Sequence, residues 1–98
     1  MRILWSPLAV DRVCEIAEYI ARDNPVAAEK WTNTIFAEVG RLKLFPERGR
    51  IVPETNHPKI RELIYSNYRI IYRIEEKRIS ILTVRHGRQI LPADDFLA

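Results

Sequence analysis

A single cysteine, Cys14, stands in 98 residues, so no internal disulfide can form and a reducing cytoplasm is the expected compartment. No apolar run approaches the ~20 residues needed to cross a bilayer. The apolar part of the opening MRILWSPLAV is short for a secretory signal and is followed by charge at Asp11. His57, beside Pro58, has no companion at ligand spacing, and Cys14 has none either, so no metal and no cofactor are expected. Repeats and low-complexity stretches are absent. What remains is one small domain, 1–98, ending in a tail over 89–98. A domain this small buries a modest share of its surface, so its large apolar residues are expected to serve the core, Trp5 and Trp31 among them.

The net charge is +3, which suits nucleic acid or an acidic protein as partner and decides between neither. The distribution carries more. From Arg48 onward the basic residues are Arg48, Arg50, Arg61, Arg69, Arg73, Arg78, Arg85 and Arg88, with only Lys59 and Lys77 among them. Arginine is favoured where a planar fork must hold phosphate or carboxylate. The bland alternative is solvated sheet edges and surface ion pairs.

Hydrophobic periodicity gives the elements. Arg2 to Trp5 reads as a strand with Ile3 and Trp5 on one face and Leu4 on the other. Ser6-Pro7 then signals a helix start, and Val13, Ile16, Ala17 and Ile20 form one apolar face, with Asp11, Glu15, Glu18 and Arg22 opposite. Cys14 on this helix is expected to be a small buried or half-buried side chain. Asp23-Asn24-Pro25 repeats the start signal, and Ala28, Trp31, Ile35, Val39 and Leu42 carry the stripe of a second helix that Phe45-Pro46 ends. Gly40 weakens its last turn by roughly 1 kcal/mol relative to alanine. So short a connection makes an antiparallel helical hairpin. Residues 46–59 form a loop with a stray strand-like piece. Beyond it the period becomes two: Ile60 to Tyr65; then Tyr68, Ile70, Tyr72 and Ile74 alternating with Arg69, Ile71 and Arg73; a turn at Glu75-Glu76-Lys77; and Arg78 to His86. The last strand is expected to set Ser80, Leu82, Val84 and His86 on one side and Ile79, Ile81 and Thr83 on the other. The predicted fold is α+β, in the order β-α-α-β-β-β, a small twisted antiparallel sheet with the helical hairpin on one face. Ile90, Leu91, Phe96 and Leu97 imply that the tail packs on something.

Trp31, the segment LFPERGRIVPE (Leu44 to Glu54), IREL (Ile60 to Leu63), YRIIYRI (Tyr68 to Ile74) and VRHGRQ (Val84 to Gln89) occur in an order and spacing that resembles the RelE/ParE superfamily, toxins of type II toxin–antitoxin (plasmid stabilisation) systems. The resemblance runs from Ile3 to Gln89 and is most specific where YRIIYR precedes V-x-H-G-R. It implies a sheet carrying a helical hairpin, in agreement with the order read from periodicity. It also implies one of two activities: RelE-like members cut messenger RNA on the ribosome, and ParE-like members poison DNA gyrase without cutting anything themselves. Either would be silenced by a cognate acidic antitoxin in a toxin–antitoxin hetero-oligomer. No membrane partner is expected.

Cutting RNA at a 2′-hydroxyl requires a base, cations on the phosphorane and an acid for the leaving oxygen. If the ribonuclease reading holds, the resemblance makes His86, Arg61 and Arg85 the catalytic candidates, with Glu54 as base only if the loop carries it over the sheet. Arg50, Arg69 and Arg88 are candidates for holding the target or a phosphate. The sequence departs from the founding RelE type in having only Lys59 before the second strand, and Ile90-Leu91-Pro92 where a tyrosine would follow the last. GR-x-VPE and H-G-R look more like the ParE branch, which favours gyrase. A non-toxic binding module is a third reading. Arg61 and Arg69 could instead be ladder partners of Glu62 and Glu75, each pair contributing roughly 0.2–1 kcal/mol. Tyr65, Tyr68 and Tyr72 could stack on bases or line the buried side of the sheet.

Overall fold

The computed structural model describes residues 1–87, 89 and 91–97, the last by its backbone. Strand β1 (Arg2–Trp5) leads into helix α1 (Pro7–Asp23) and helix α2 (Pro25–Gly40). Four strands follow: β2 (Arg50–Ile51), β3 (Ile60–Tyr65), β4 (Tyr68–Ile74) and β5 (Arg78–His86).

Both caps act as the sequence predicts. The Ser6 hydroxyl accepts from the Ala9 N–H at 3.0 Å, and Pro7 occupies the first turn, where its missing donor costs nothing. Asn24 alone joins the helices: its N–H donates to the Ile20 carbonyl at 3.0 Å, closing α1, and its Oδ1 accepts from the Ala27 N–H at 3.0 Å, opening α2. At Gly40 the α-helix gives way to a 3-10 turn over Arg41–Lys43, which still carries Leu42 into the core. The whole predicted α2 stripe, Ala28, Trp31, Ile35, Val39 and Leu42, is buried. On α1, Val13 is buried, and Ile16, Ala17 and Ile20 pack on the core from its margin. Cys14 is exposed, contrary to expectation, because it lies roughly 100° around the helix from Val13 and so turns off the apolar face.

The sheet has five strands in the order β1-β5-β4-β3-β2. It is mixed, which corrects the all-antiparallel expectation: β1 runs parallel to β5. The hairpin supplies the crossover a parallel pair requires, and Ser6 fixes the pairing. Its N–H donates to the Ile81 carbonyl at 2.9 Å and its hydroxyl to the Leu82 carbonyl at 2.8 Å. The strand-like piece of the long loop is β2, paired with β3 through Arg50 opposite Glu62 and Ile51 opposite Arg61.

Strand β4 alternates as predicted, with Ile70, Tyr72 and Ile74 in the helix-side core and Ile71 in a second cluster on the other face. Strand β5 does not. Ile71 faces Thr83 and Tyr72 faces Ile81, so Leu82 is the extra residue of a bulge. The bulge resets the phase: Ile79, Ile81 and Val84 all join the helix-side core, and Leu82 joins the second cluster with Val52, Ile71 and Leu91. Ile60 and Phe96 pack against that cluster, so the tail does cover the sheet, with Ala93–Leu97 in a 3-10 turn. Ile90 lies outside the described residues. No helix among the described residues is long and apolar enough to cross a membrane.

Candidate functional site: the polar face of the sheet

On the face opposite the helices, strands, loop and tail meet through charge. Glu62, on β3, is buried and receives two guanidinium groups. Arg69 Nε of β4 donates to its Oε1, and Arg50 Nε of β2 donates to its Oε2 at 2.7 Å. The other end of Arg69 reaches the loop, where Nη1 and Nη2 clasp the two carboxylate oxygens of Glu54 at 2.8 and 2.9 Å. Nη1 also approaches the Gln89 carbonyl at 3.4 Å. This chain of two arginines and two glutamates is neutral as a whole, and each carboxylate is bonded at both oxygens.

The loop thus carries Glu54 over the sheet, the condition set for its use as a base. The same contact works against that role. The forked bond from Arg69 holds the Glu54 carboxyl down at about 2 from its ordinary 4.5. A carboxylate so stabilised takes up a proton poorly near neutrality. Arg69, held cationic by the same bonds, has Nε, Nη1 and Nη2 all engaged inside the protein.

The other candidates are placed as follows. Arg61 braces the loop rather than pairing across a ladder. Its Nε donates to the Pro58 carbonyl at 3.1 Å and its Nη1 to the Gly49 carbonyl at 2.9 Å. Arg85 binds Asp95 of the tail at 2.7 and 3.2 Å, and Asp95 is itself buried. Glu75 accepts from the Ser80 hydroxyl and pairs with Arg78 at 2.8 Å and Arg73 at 3.3 Å, bonds that hold its carboxyl at about 2. It therefore serves neither Arg61 nor Arg69. Arg69 has the Glu62 partner anticipated for it.

Tyr72 is wholly buried: its hydroxyl donates to the Pro46 carbonyl at 2.7 Å and accepts from the Gly49 N–H at 2.9 Å, and burial pushes its pKa up. It fastens the loop to the sheet and offers no face to a base. Tyr68 stands edge-on to Trp31 at 5.3 Å and to His86 at 5.7 Å. His86 opens with Arg85, Tyr68 and Gln89 onto a cleft of about 500 Å³ against Arg12, Glu15 and Tyr19 of α1. Thus Arg85 and His86 are adjacent, whereas Arg61 bonds the loop at the far margin of β3. Arg88 lies outside the described residues.

With this geometry in place, comparison with known proteins bears on identity. Residues 3–91 match the family described as the ParE toxin of the type II toxin–antitoxin system, parDE. The chain belongs to the ParE toxin family.

This ParE-family chain is 37% identical over 93 residues to the "Putative toxin Y4kP" of Sinorhizobium fredii, covering 93% of each. It is 27% identical over 90 residues to the "Toxin RelE2" of Caulobacter vibrioides, covering 91% of this chain and 98% of that one. A solved structure described as "Chromosomal ParDE TA system from P. aeruginosa" superposes with a TM-score of 0.71 at 24% identity, over 88% of this chain and 95% of that one. That superposition confirms the fold, two helices on a five-stranded mixed sheet.

Sequence reasoning offered Glu62 as a ladder partner but not as the buried centre of the ion-pair chain, and it missed Asp95. The signal for Glu62 was present: it shares its strand face with the apolar Ile60 and Ile64, and a carboxylate buried there demands a cation. Asp95 carried no such signal, since its partner Arg85 meets it only after the tail folds back.

Proposed function

We propose that this toxin arrests growth in the cytoplasm by protein contact with DNA gyrase, without itself cutting nucleic acid, and that a cognate acidic antitoxin holds it silent. The observation supporting this reading is the saturation of Arg69 by Glu54 and Glu62. Phosphorane stabilisation needs cations aimed at a site where charge develops, and this guanidinium is aimed inward. Arg85 is likewise spoken for by Asp95, and the loop carboxylate considered as a base, Glu54, is held far from a useful proton affinity. Arg50 keeps most of its side chain exposed for contact with a partner, and Arg88 is proposed to join it. The antitoxin belongs to this reading through family membership and the excess of positive charge, which favours an acidic segment that folds on contact.

Controlled expression with parallel readouts of messenger cleavage and gyrase supercoiling tests the proposal. Gyrase inhibition with intact messages is expected, and growth arrest is expected to survive His86→Ala. Codon-linked cuts in translated messages, abolished by His86→Ala, would establish the ribonuclease reading instead. Expression without arrest would leave a binding module.

A further inference from the structure

Most of the surface hydrophobics are scattered, but Leu44 and Phe45 are consecutive and are 80% and 58% exposed. They follow the 3-10 turn whose Leu42 is fully buried, so the chain anchors one leucine and turns the next outward. The backbone that presents them is fastened from below. The Phe45 N–H donates to the Arg41 carbonyl at 3.1 Å and the Arg48 N–H to the Phe45 carbonyl at 3.1 Å. Tyr72 holds Pro46 and Gly49, and Arg61 holds Gly49. Gly49 is required for this seat: a Cβ there would stand 2.5 Å from the Glu62 carbonyl and 2.7 Å from the Tyr72 hydroxyl. Two large apolar side chains are thus held out in water on a backbone that cannot readily retract them.

Charge around the pair is specific in sign. Arg41 and Arg48 share one carboxylate, that of Glu38, at 3.8 and 2.6 Å. With Lys43 between them in sequence and Glu47 beside Arg48, cations outnumber anions around the knob. A cleft of about 530 Å³ lined by Arg41, Phe45, Pro46, Glu47 and Arg48 adjoins it.

We propose that Leu44 and Phe45 form the anchor by which this toxin engages its target, and that the partner is a folded protein surface offering an apolar socket with an acidic rim. A rigid projection fits a preformed concavity, and its preorganisation removes the ordering cost that a mobile loop would incur on binding. Buried apolar anchors ringed by polar contacts dominate interface energies, while two side chains are too small to be the entire interface. This rests on the protein-contact reading above.

Purified DNA gyrase is the probe, with growth arrest as a second readout. Leu44→Ser/Phe45→Ser changes only exposed side chains, so its circular dichroism and melting should match wild type. The toxin concentration for half-inhibition of supercoiling is expected to rise roughly 30-fold or more, with growth arrest lost. Arg41→Glu, which sets an anion against an acidic rim, should weaken inhibition severalfold; equal or stronger inhibition would overturn the acidic chemistry. If wild type and the double variant inhibit alike, the anchor is wrong and the gyrase reading stands. If wild type arrests growth without inhibiting gyrase, the gyrase reading fails. The anchor is then judged by growth alone: arrest lost in the double variant supports it, and arrest retained overturns it.

Discussion

The two faces of the sheet are built on different physics. Toward the helices, Ile35, Val39, Leu42, Ile70, Ile79 and Ile81 interlock with almost no exposure, and the main polar visitor, Tyr72, satisfies its hydroxyl twice. On the opposite face the apolar cluster is small, Val52, Ile71, Leu82 and Leu91, and the loop and tail are fixed over it by Arg69 with Glu54 and Glu62 and by Arg85 with Asp95. The first face is stabilised by area removed from water, which depends little on angle. The second depends on geometry, because a buried charge is tolerated only while its partner is in place. The lesson is that the arginines which make this sequence look poised for phosphate largely hold the fold together.

The contrast can be broken most sharply at Arg69. Arg69→Met leaves Glu62 buried with one fork of its cation pair missing and Glu54 unclasped, and is expected to cost about 3–5 kcal/mol. Urea unfolding measures this, and a loss below 1 kcal/mol would falsify the view of this face as held by the ion-pair chain. Next come adjacent isoleucines that point opposite ways. Ile70→Ala and Ile71→Ala should each fall within about 2–5 kcal/mol, with Ile70 the costlier because the cluster around it is larger and collapses less easily. Equal values from parallel denaturation would erase the distinction between a deep and a shallow core.

Tyr72→Phe links the two faces, since it strips the Pro46 carbonyl and the Gly49 N–H of their partner. The expected loss is about 1–3 kcal/mol, together with faster amide exchange at Gly49 by NMR. The smallest effect is acidic. Glu54 has its pKa lowered on folding, so its contribution is complete above its unfolded value of 4.5 and is lost as pH falls toward about 2. Glu75 behaves alike through Ser80 and Arg78. Glu54→Gln should therefore be less stable than wild type near neutrality and converge with it as the pH drops through that window. A stability gap that stays constant with pH would show that the clasp acts by shape rather than charge.

Several features were legible because they are local. Ser6-Pro7 and Asn24-Pro25 set the helix starts by contacts within three residues, and the α2 stripe from Ala28 to Leu42 is a repeat that any observer of periodicity can follow. The strand YRIIYRI keeps strict alternation, and with VRHGRQ it already resembled the superfamily whose ParE branch the family match supports. The alternation of β5 misled because a bulge at Leu82 leaves no mark in a run of residues that are apolar on both sides. Of the candidate site, the sequence named the cations, Glu54 and a pairing with Glu62, but neither the clasp of Arg69 on Glu54 nor that of Arg85 on Asp95.

What the sequence determined by itself was the set of elements, the inward faces of the helices and of β4, and the family. The tertiary structure decided the parallel entry of β1 beside β5, where Ser6 meets Leu82 across 76 positions. It also decided which arginines are consumed and which stay open. Periodicity and capping are settled within a few residues of one another, so they can be read along the chain. Strand partners and ion pairs depend on which distant segments pack together, and only the folded chain brings Glu54, Glu62 and Asp95 to their arginines.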